Sequence, residues 1–173
     1  SIFIGKNMNP EKKKLLLSEI HDDKIMVTEV MRPLHALFKI EHGSLRQSTD
    51  SIALLGYKVL AEEIASTPDL SDIFIGTSSG TAAEALAEYF LEHKKNVALH
   101  IVQPIGNSPI ARDFDAEERR GETSIADAIV DKVAHRKEKL VELLRATGGG
   151  GWIVSTDEIK KAQTLLKEKA NIE

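Results

Sequence analysis

The residues best suited to chemistry lie in one short tract, Gly76-Thr77-Ser78-Ser79-Gly80-Thr81. Glycines let a backbone come close to an anion, and hydroxyls donate to it. A helix beginning directly afterwards aims its unpaired N–H groups the same way. Thr77, Ser78, Ser79, Gly80 and Thr81 are therefore candidate ligands of a phosphate carried by a cofactor or substrate. The same residue types also suit an ordinary strand-to-helix turn capped by Ser or Thr, so both readings stay open at this point. Two better-known phosphate motifs are excluded. No Lys follows the second glycine as in a P-loop, and the glycines are not spaced G-x-G-x-x-G.

Little else in the chain carries chemistry. The six histidines show no i, i+3 or i+4 pairing, so no metal site is expected. Cysteine is absent, which removes disulfides, thiolate metal sites and a Cys nucleophile, and suits a cytoplasmic location. No nucleophile elbow or catalytic dyad stands out, and no catalytic residue is assigned. A formal charge of −4 gives no electrostatic reason for nucleic acid or an anionic membrane as partner. No apolar run approaches membrane-spanning length. The opening Ser1-Ile-Phe-Ile-Gly-Lys6 is not a signal peptide; it reads as the middle of a protein, and the end is equally abrupt, so an excised piece is expected.

The elements that must position the loop follow from periodicity. Ile73 to Ile75 reads as a buried strand that empties into the loop, and an Ala-rich helix follows to about His93. Before them, residues 2 to 5 read as a strand. Asn9-Pro10 opens a helix with Leu15, Leu16 and Ile20 on one side, its Lys12-Lys13-Lys14 run a solvated face. Ile25 to Val30 is a second strand, broken at Arg32-Pro33. Ser44 to Asp50 is a polar connector into a helix from Ser51 with Ile52, Leu55, Val59 and Ile64 at helical spacing. Gly56 within it is expected to mark close packing against another backbone.

After the loop, Val97 to Val102 reads as a strand and Ala111 to Glu122 as a charged loop or short helix. Thr123 to Ala134 and Arg136 to Ala146 read as helices, the second stopping at a slack run, Gly148 to Gly151. Trp152 to Val154 is a short strand, and Ser155 with Glu158 forms a capping box for a last helix with Ile159, Ala162 and Leu166 inward. Strands alternating with helices predict an α/β fold, a layered parallel sheet with helices on both faces.

Taken together, these segments resemble the second half of fold-type II pyridoxal-phosphate enzymes, the tryptophan synthase β-like superfamily, with threonine synthase the best fit. Six blocks match in order, over nearly the whole chain: residues 2–30, Ser51 to Ala65, residues 72–90, His100-Ile-Val-Gln-Pro104, Thr123 to Ile129, and Gly149 to Ala162. The resemblance implies a small-domain remnant at 1–45, a large-domain portion at 46–173, and pyridoxal 5′-phosphate as cofactor. It also implies an amino-acid substrate handled by β- or γ-elimination or replacement.

Carried over by position, Gly80-Thr81 matches the end of the family's G-x-G-G-T/N phosphate loop, with Thr77, Ser78 and Ser79 in the preceding positions. Thr and Ser stand where glycines are commoner, and Asp127-Ala128 stands where many members carry a glycine beside the cofactor ring. The Schiff-base lysine, found in the family in an S-x-K-x-R context, has no counterpart here, nor do the Ser-Gly-Asn stretch and the Ser or Thr on the ring nitrogen. Lys58 lacks that context and reads as a solvent lysine. The chain alone is therefore expected to be inactive. A catalytically silent α/β module binding a phosphorylated metabolite or a protein partner is the alternative. Apolar surface left by a missing half predicts a homo-oligomer.

Overall fold

Short runs rich in β-branched and aromatic residues become strands, and every strand pairing among the described residues of the computed structural model is parallel. β1 (Ile2–Gly5) pairs with β2 (Val27–Val30), with α1 (Pro10–Ser18) between them in sequence. β3 (Asp72–Gly76), β4 (Ala98–Pro104) and β5 (Gly150–Val154) form a second sheet in that order. The structure describes residues 1–37, 39, 48–115 and 124–172. It divides into two compact units, Ser1–Leu45 and Arg46–Glu173.

The second unit holds the main core. Along β4, Leu99, Ile101 and Gln103 point to one face and are fully buried, joined by Ile153 of β5. α4 (Thr81–Glu92) and α5 (Lys137–Ala146) contribute Leu86, Phe90, Leu140 and Leu144 to the same cluster. Ala83, Ala85 and Ala87 are fully buried, small enough for α4 to be enclosed around much of its surface. α3 (Ile52–Ile64) packs on α4. On the other face of the sheet Phe74, His100 and Trp152 form an aromatic group, with Phe74 stacked on His100 at 4.6 Å.

Several boundaries follow local chemistry. Asn9 Oδ1 accepts from Glu11 and Lys12 N–H, with Pro10 at the first helical position. Ser155 and Glu158 form the reciprocal capping box of α6 (Thr156–Ala170). Pro33, expected only as a break, opens a short helix α2 (Pro33–Leu37), where a missing N–H costs nothing. The connector expected at 44–50 lies largely outside the described residues, as do 116–122 of the charged section and Thr123, the expected start of the next helix. At the start of that section, Ala111–Asp113 forms one 3-10 turn.

Other expectations are overturned. Residues 124–134 form turns, not a helix. Ser124 Oγ accepts Ala126 N–H, and the Val130 and Asp131 N–H groups donate to Ser78 Oγ rather than to helical carbonyls. Gly148 does end α5, at φ +79, with Gly149 N–H bonded to Leu144 O. The run is not slack, however, since Gly150 and Gly151 belong to β5. Gly56 has no neighbour within 4 Å of where a Cβ would stand. Ile52, Leu55 and Val59 are exposed, and α6 buries no residue, with Leu166 on the surface.

Candidate functional site

The loop leaves β3 at the carboxyl end of the parallel sheet, where open α/β sheets gather ligands. Thr77 N–H still bonds Val102 O at 3.2 Å, continuing the strand register by one residue. Its side chain then turns inward, and Thr77 Oγ1 accepts Gly80 N–H at 3.1 Å. Gly80 caps α4 with φ +88, and a Cβ there would lie 2.6 Å from Leu140 Cδ2. Backbone conformation and core packing both require glycine at this position.

Donors gather on the loop and the start of α4. The Ser79 and Thr81 hydroxyls lie 3.1 Å apart. Among the described residues, the N–H groups of Ser78, Ser79, Ala82 and Ala83 meet no acceptor. The first bond into the helix is Glu84 N–H to Gly80 O at 2.8 Å. Successive unpaired N–H groups ahead of a helix form a concave anion site, reinforced by the helix dipole.

The five predicted residues thus lie together, with different tasks. The Ser78 hydroxyl donates to Asp131 Oδ2 at 3.0 Å and accepts from Val130 N–H at 3.1 Å and Asp131 N–H at 3.0 Å. It ties the loop to the 130–131 segment. Gly80 and the Thr77 hydroxyl shape the turn, leaving the N–H groups of Ser78, Ser79, Ala82 and Ala83 as donors suited to an anion, with the Ser79 and Thr81 hydroxyls beside them.

The loop rests on residues that sequence reasoning did not single out. Gln103 is fully buried; its Nε2 donates to Thr77 O at 3.1 Å and Ser78 O at 3.3 Å. Its Oε1 accepts Ile110 N–H at 3.0 Å and Ala111 N–H at 2.9 Å. A polar residue in the inward register of Leu99 and Ile101 was the available signal.

One turn into α4, the Glu84 carboxylate is buried between Arg136 Nη1 at 2.9 Å and Lys139 Nζ at 2.8 Å. The hydrogen bond to Glu84, then that to Glu88, holds the Lys139 ammonium above its ordinary value. Arg136 also donates to Ser48 O at 3.2 Å and Asp50 O at 2.9 Å, fastening the start of the second unit to α4. Nothing at the level of sequence marked these long-range pairs.

The family model for pyridoxal-phosphate dependent enzymes matches residues 20–173. The chain belongs to this family. No curated protein sequence matches it. Among solved structures, a pyridoxal 5′-phosphate-dependent aspartate racemase superposes with a TM-score of 0.75 at 17% identity, over 98% of this chain and 54% of that one. Serine racemase from Dictyostelium discoideum gives 0.74 at 16%, over 98% and 56%. The processed threonine deaminase isoform 2 of Solanum lycopersicum gives 0.70 at 18%, over 98% and 49%. At these identities the likeness is one of fold, and the chain spans about half the length of the structures it matches.

For a member of a pyridoxal-phosphate dependent family, the relevant anion is a phosphate monoester, and the loop's chemistry fits one. Its donors are neutral N–H and O–H groups at a helix start, a kind of donor set that suits a phosphate without a side-chain cation. The Asp131 carboxylate on Ser78 is the feature that opposes an anion. Among the described residues, no helix is long and apolar enough to cross a membrane.

Proposed function

We propose that this chain is the part of a pyridoxal-phosphate dependent enzyme that seats the cofactor's phosphate, with Thr77, Ser78, Ser79, Gly80 and Thr81 as the cup. The observation that carries the reading is the set of unpaired N–H groups of Ser78, Ser79, Ala82 and Ala83, beside the Ser79 and Thr81 hydroxyls, at the strand-to-helix turn of a family member. In this reading residues 1–45 are a remnant of the small domain and 46–173 a portion of the large one. When bound, the cofactor supplies an electron sink for an amino-acid substrate. The chain's own residues hold the phosphate and fix its distance from the sheet.

The substrate reading is an amino acid undergoing β- or γ-elimination or replacement, as in threonine synthase. The six ordered blocks support it, and the solved structures of similar fold are named for racemisation or deamination of amino acids. This chain alone does not turn over in this reading. No lysine has the context the family uses to hold the cofactor. Lys58 bonds Glu92 at 3.1 Å and Glu88 at 3.2 Å, and the Glu92 bond chiefly raises its pKa. That favours the protonated, non-nucleophilic form. The Ser78–Asp131 bond favours a second reading, a non-catalytic module whose loop serves a different ligand or a protein partner.

Hydrogen exchange on the 173-residue chain separates these readings. Saturating inorganic phosphate or pyridoxal 5′-phosphate is expected to slow the amides of 78–83, with no release of keto acid or ammonia from amino acids and no new amino acid formed. Amides that exchange at the same rate with either additive sink the cup. Turnover by the chain alone sinks its inactivity.

A further inference from the structure

We propose that Gln103 is a positioning residue for anion binding at the loop, acting through the orientation of two peptide planes; this rests on the phosphate-cup reading. A glutamine amide offers two N–H donors and one oxygen with two acceptor sites. Here all four are used. Nε2 takes the carbonyls of Thr77 and Ser78, while Oε1 takes the N–H groups of Ile110 and Ala111. Gln103 has no exposed surface and stands at the end of β4, so it is held as firmly as the sheet itself.

The consequence for the loop follows from peptide geometry. In a trans peptide the C=O of one residue and the N–H of the next point in opposite directions. Holding Thr77 O and Ser78 O toward Gln103 therefore turns Ser78 N–H and Ser79 N–H away from it, to the outer side of the loop. These are two of the groups that meet no acceptor among the described residues. With Ala82 and Ala83 N–H at the helix start, they make a preorganised donor set, whose cost of ordering is met during folding rather than at binding. No carboxylate can replace the amide while ionised, because it has no proton to offer two carbonyls and repels them.

The substitution Gln103→Glu tests this, because its effect should depend on pH. Burial and the two facing carbonyls raise the pKa of the introduced acid and are expected to outweigh the Ile110 and Ala111 N–H groups, which lower it. Below that pKa one O–H donates to the loop again; above it the carboxylate pushes both carbonyls off and rotates the N–H groups. Inorganic phosphate is titrated into the 173-residue chain while its backbone amide resonances are followed. The readout is the ratio of variant to wild-type Kd, so the titration of phosphate itself cancels.

We expect binding about tenfold weaker than wild type at pH 8, as for the loss of one or two hydrogen bonds. The ratio should close to about twofold at pH 5. Wild-type phosphate binding with a ratio near one at both pH values, or a constant deficit at both, overturns the role of Gln103. In the wild type, phosphate should also shift the Ser78 and Ser79 amides together with Ala82 and Ala83. This arm needs no variant, and shifts confined to Ala82 and Ala83 overturn the inference even if Gln103→Glu fails to fold. Wild-type protein that does not bind phosphate removes the cup itself, and the inference with it.

Discussion

The layer formed by α4 and α5 and the outer elements α3 and α6 are built from similar apolar spacing, with opposite outcomes. Phe90, Leu140 and Leu144 are completely buried. On α3, Ile52, Leu55 and Val59 leave 61%, 64% and 66% of their surface exposed, although they recur at helical spacing just as a core-facing stripe would. Periodicity marks a face; only the neighbours decide whether it is covered. The glycines record the same contrast. A Cβ at Gly80, Gly149 or Gly151 would stand 2.6, 1.8 or 2.6 Å from a neighbouring atom, while Gly56 of α3 stands in open space.

The sharpest way to break this comparison is Gly149→Ala. A Cβ at Gly149 would stand 1.8 Å from Leu99 O and 2.5 Å from Leu99 C, both backbone atoms of the central strand. No rotamer relieves such a clash, so β5 must part from β4 or α5 must shift. The expected cost is about 4 kcal/mol or more, at the exceptional end for a single substitution. Denaturant unfolding followed by far-UV circular dichroism measures it. A loss below about 1 kcal/mol would show that the β4–β5 junction yields.

Arg136→Met comes next and probes how the loop and the start of α4 are braced. Glu84 is buried one turn from the loop, and Arg136 is one of its two cations. Removing one partner of a buried pair strands the other, for about 3 kcal/mol; Lys139 remains as partial compensation. The double variant Glu84→Gln with Arg136→Met should recover part of that loss, since no buried charge is then left. Thermal unfolding of the four proteins of the cycle reads this directly. Equal stability of the single and double variants would mean that Lys139 alone satisfies Glu84. Local exchange at Thr49 to Ile52 should also rise in the single variant, because Arg136 holds the carbonyls of Ser48 and Asp50.

What was legible in the sequence follows the range of the interactions. The step from β3 through Gly76–Thr81 into α4 is written in contiguous residues, and so are the Asn9 and Ser155 caps. Residues 124–134 read as helix by local preference, yet Ser78 takes the N–H groups of Val130 and Asp131 from some fifty positions away. The Gly148–Gly151 run looked slack because its purpose, close approach to Leu99, Ala111 and Phe114, lies in other elements. Gln103 was half legible. Its place in an inward apolar register announced a buried polar group, but not that the group would hold the loop backbone.

The smallest expected effect is the most informative about the outer layer. Gly56 lies within α3, exposed, with no atom within 4 Å of a prospective Cβ and no positive φ. Alanine there loses less backbone entropy on folding and is the better helix former, so Gly56→Ala should stabilise the chain by about 0.5–1 kcal/mol. The sign is the test. If α3 is bare in solution as it is here, the midpoint of thermal unfolding rises. If another surface packs closely over Gly56, as its position among Ile52, Leu55 and Val59 invites, the added methyl is an intrusion and the midpoint falls. A concentration series then assigns that surface: a penalty that grows with protein concentration belongs to contact between copies of this chain, since only association depends on concentration.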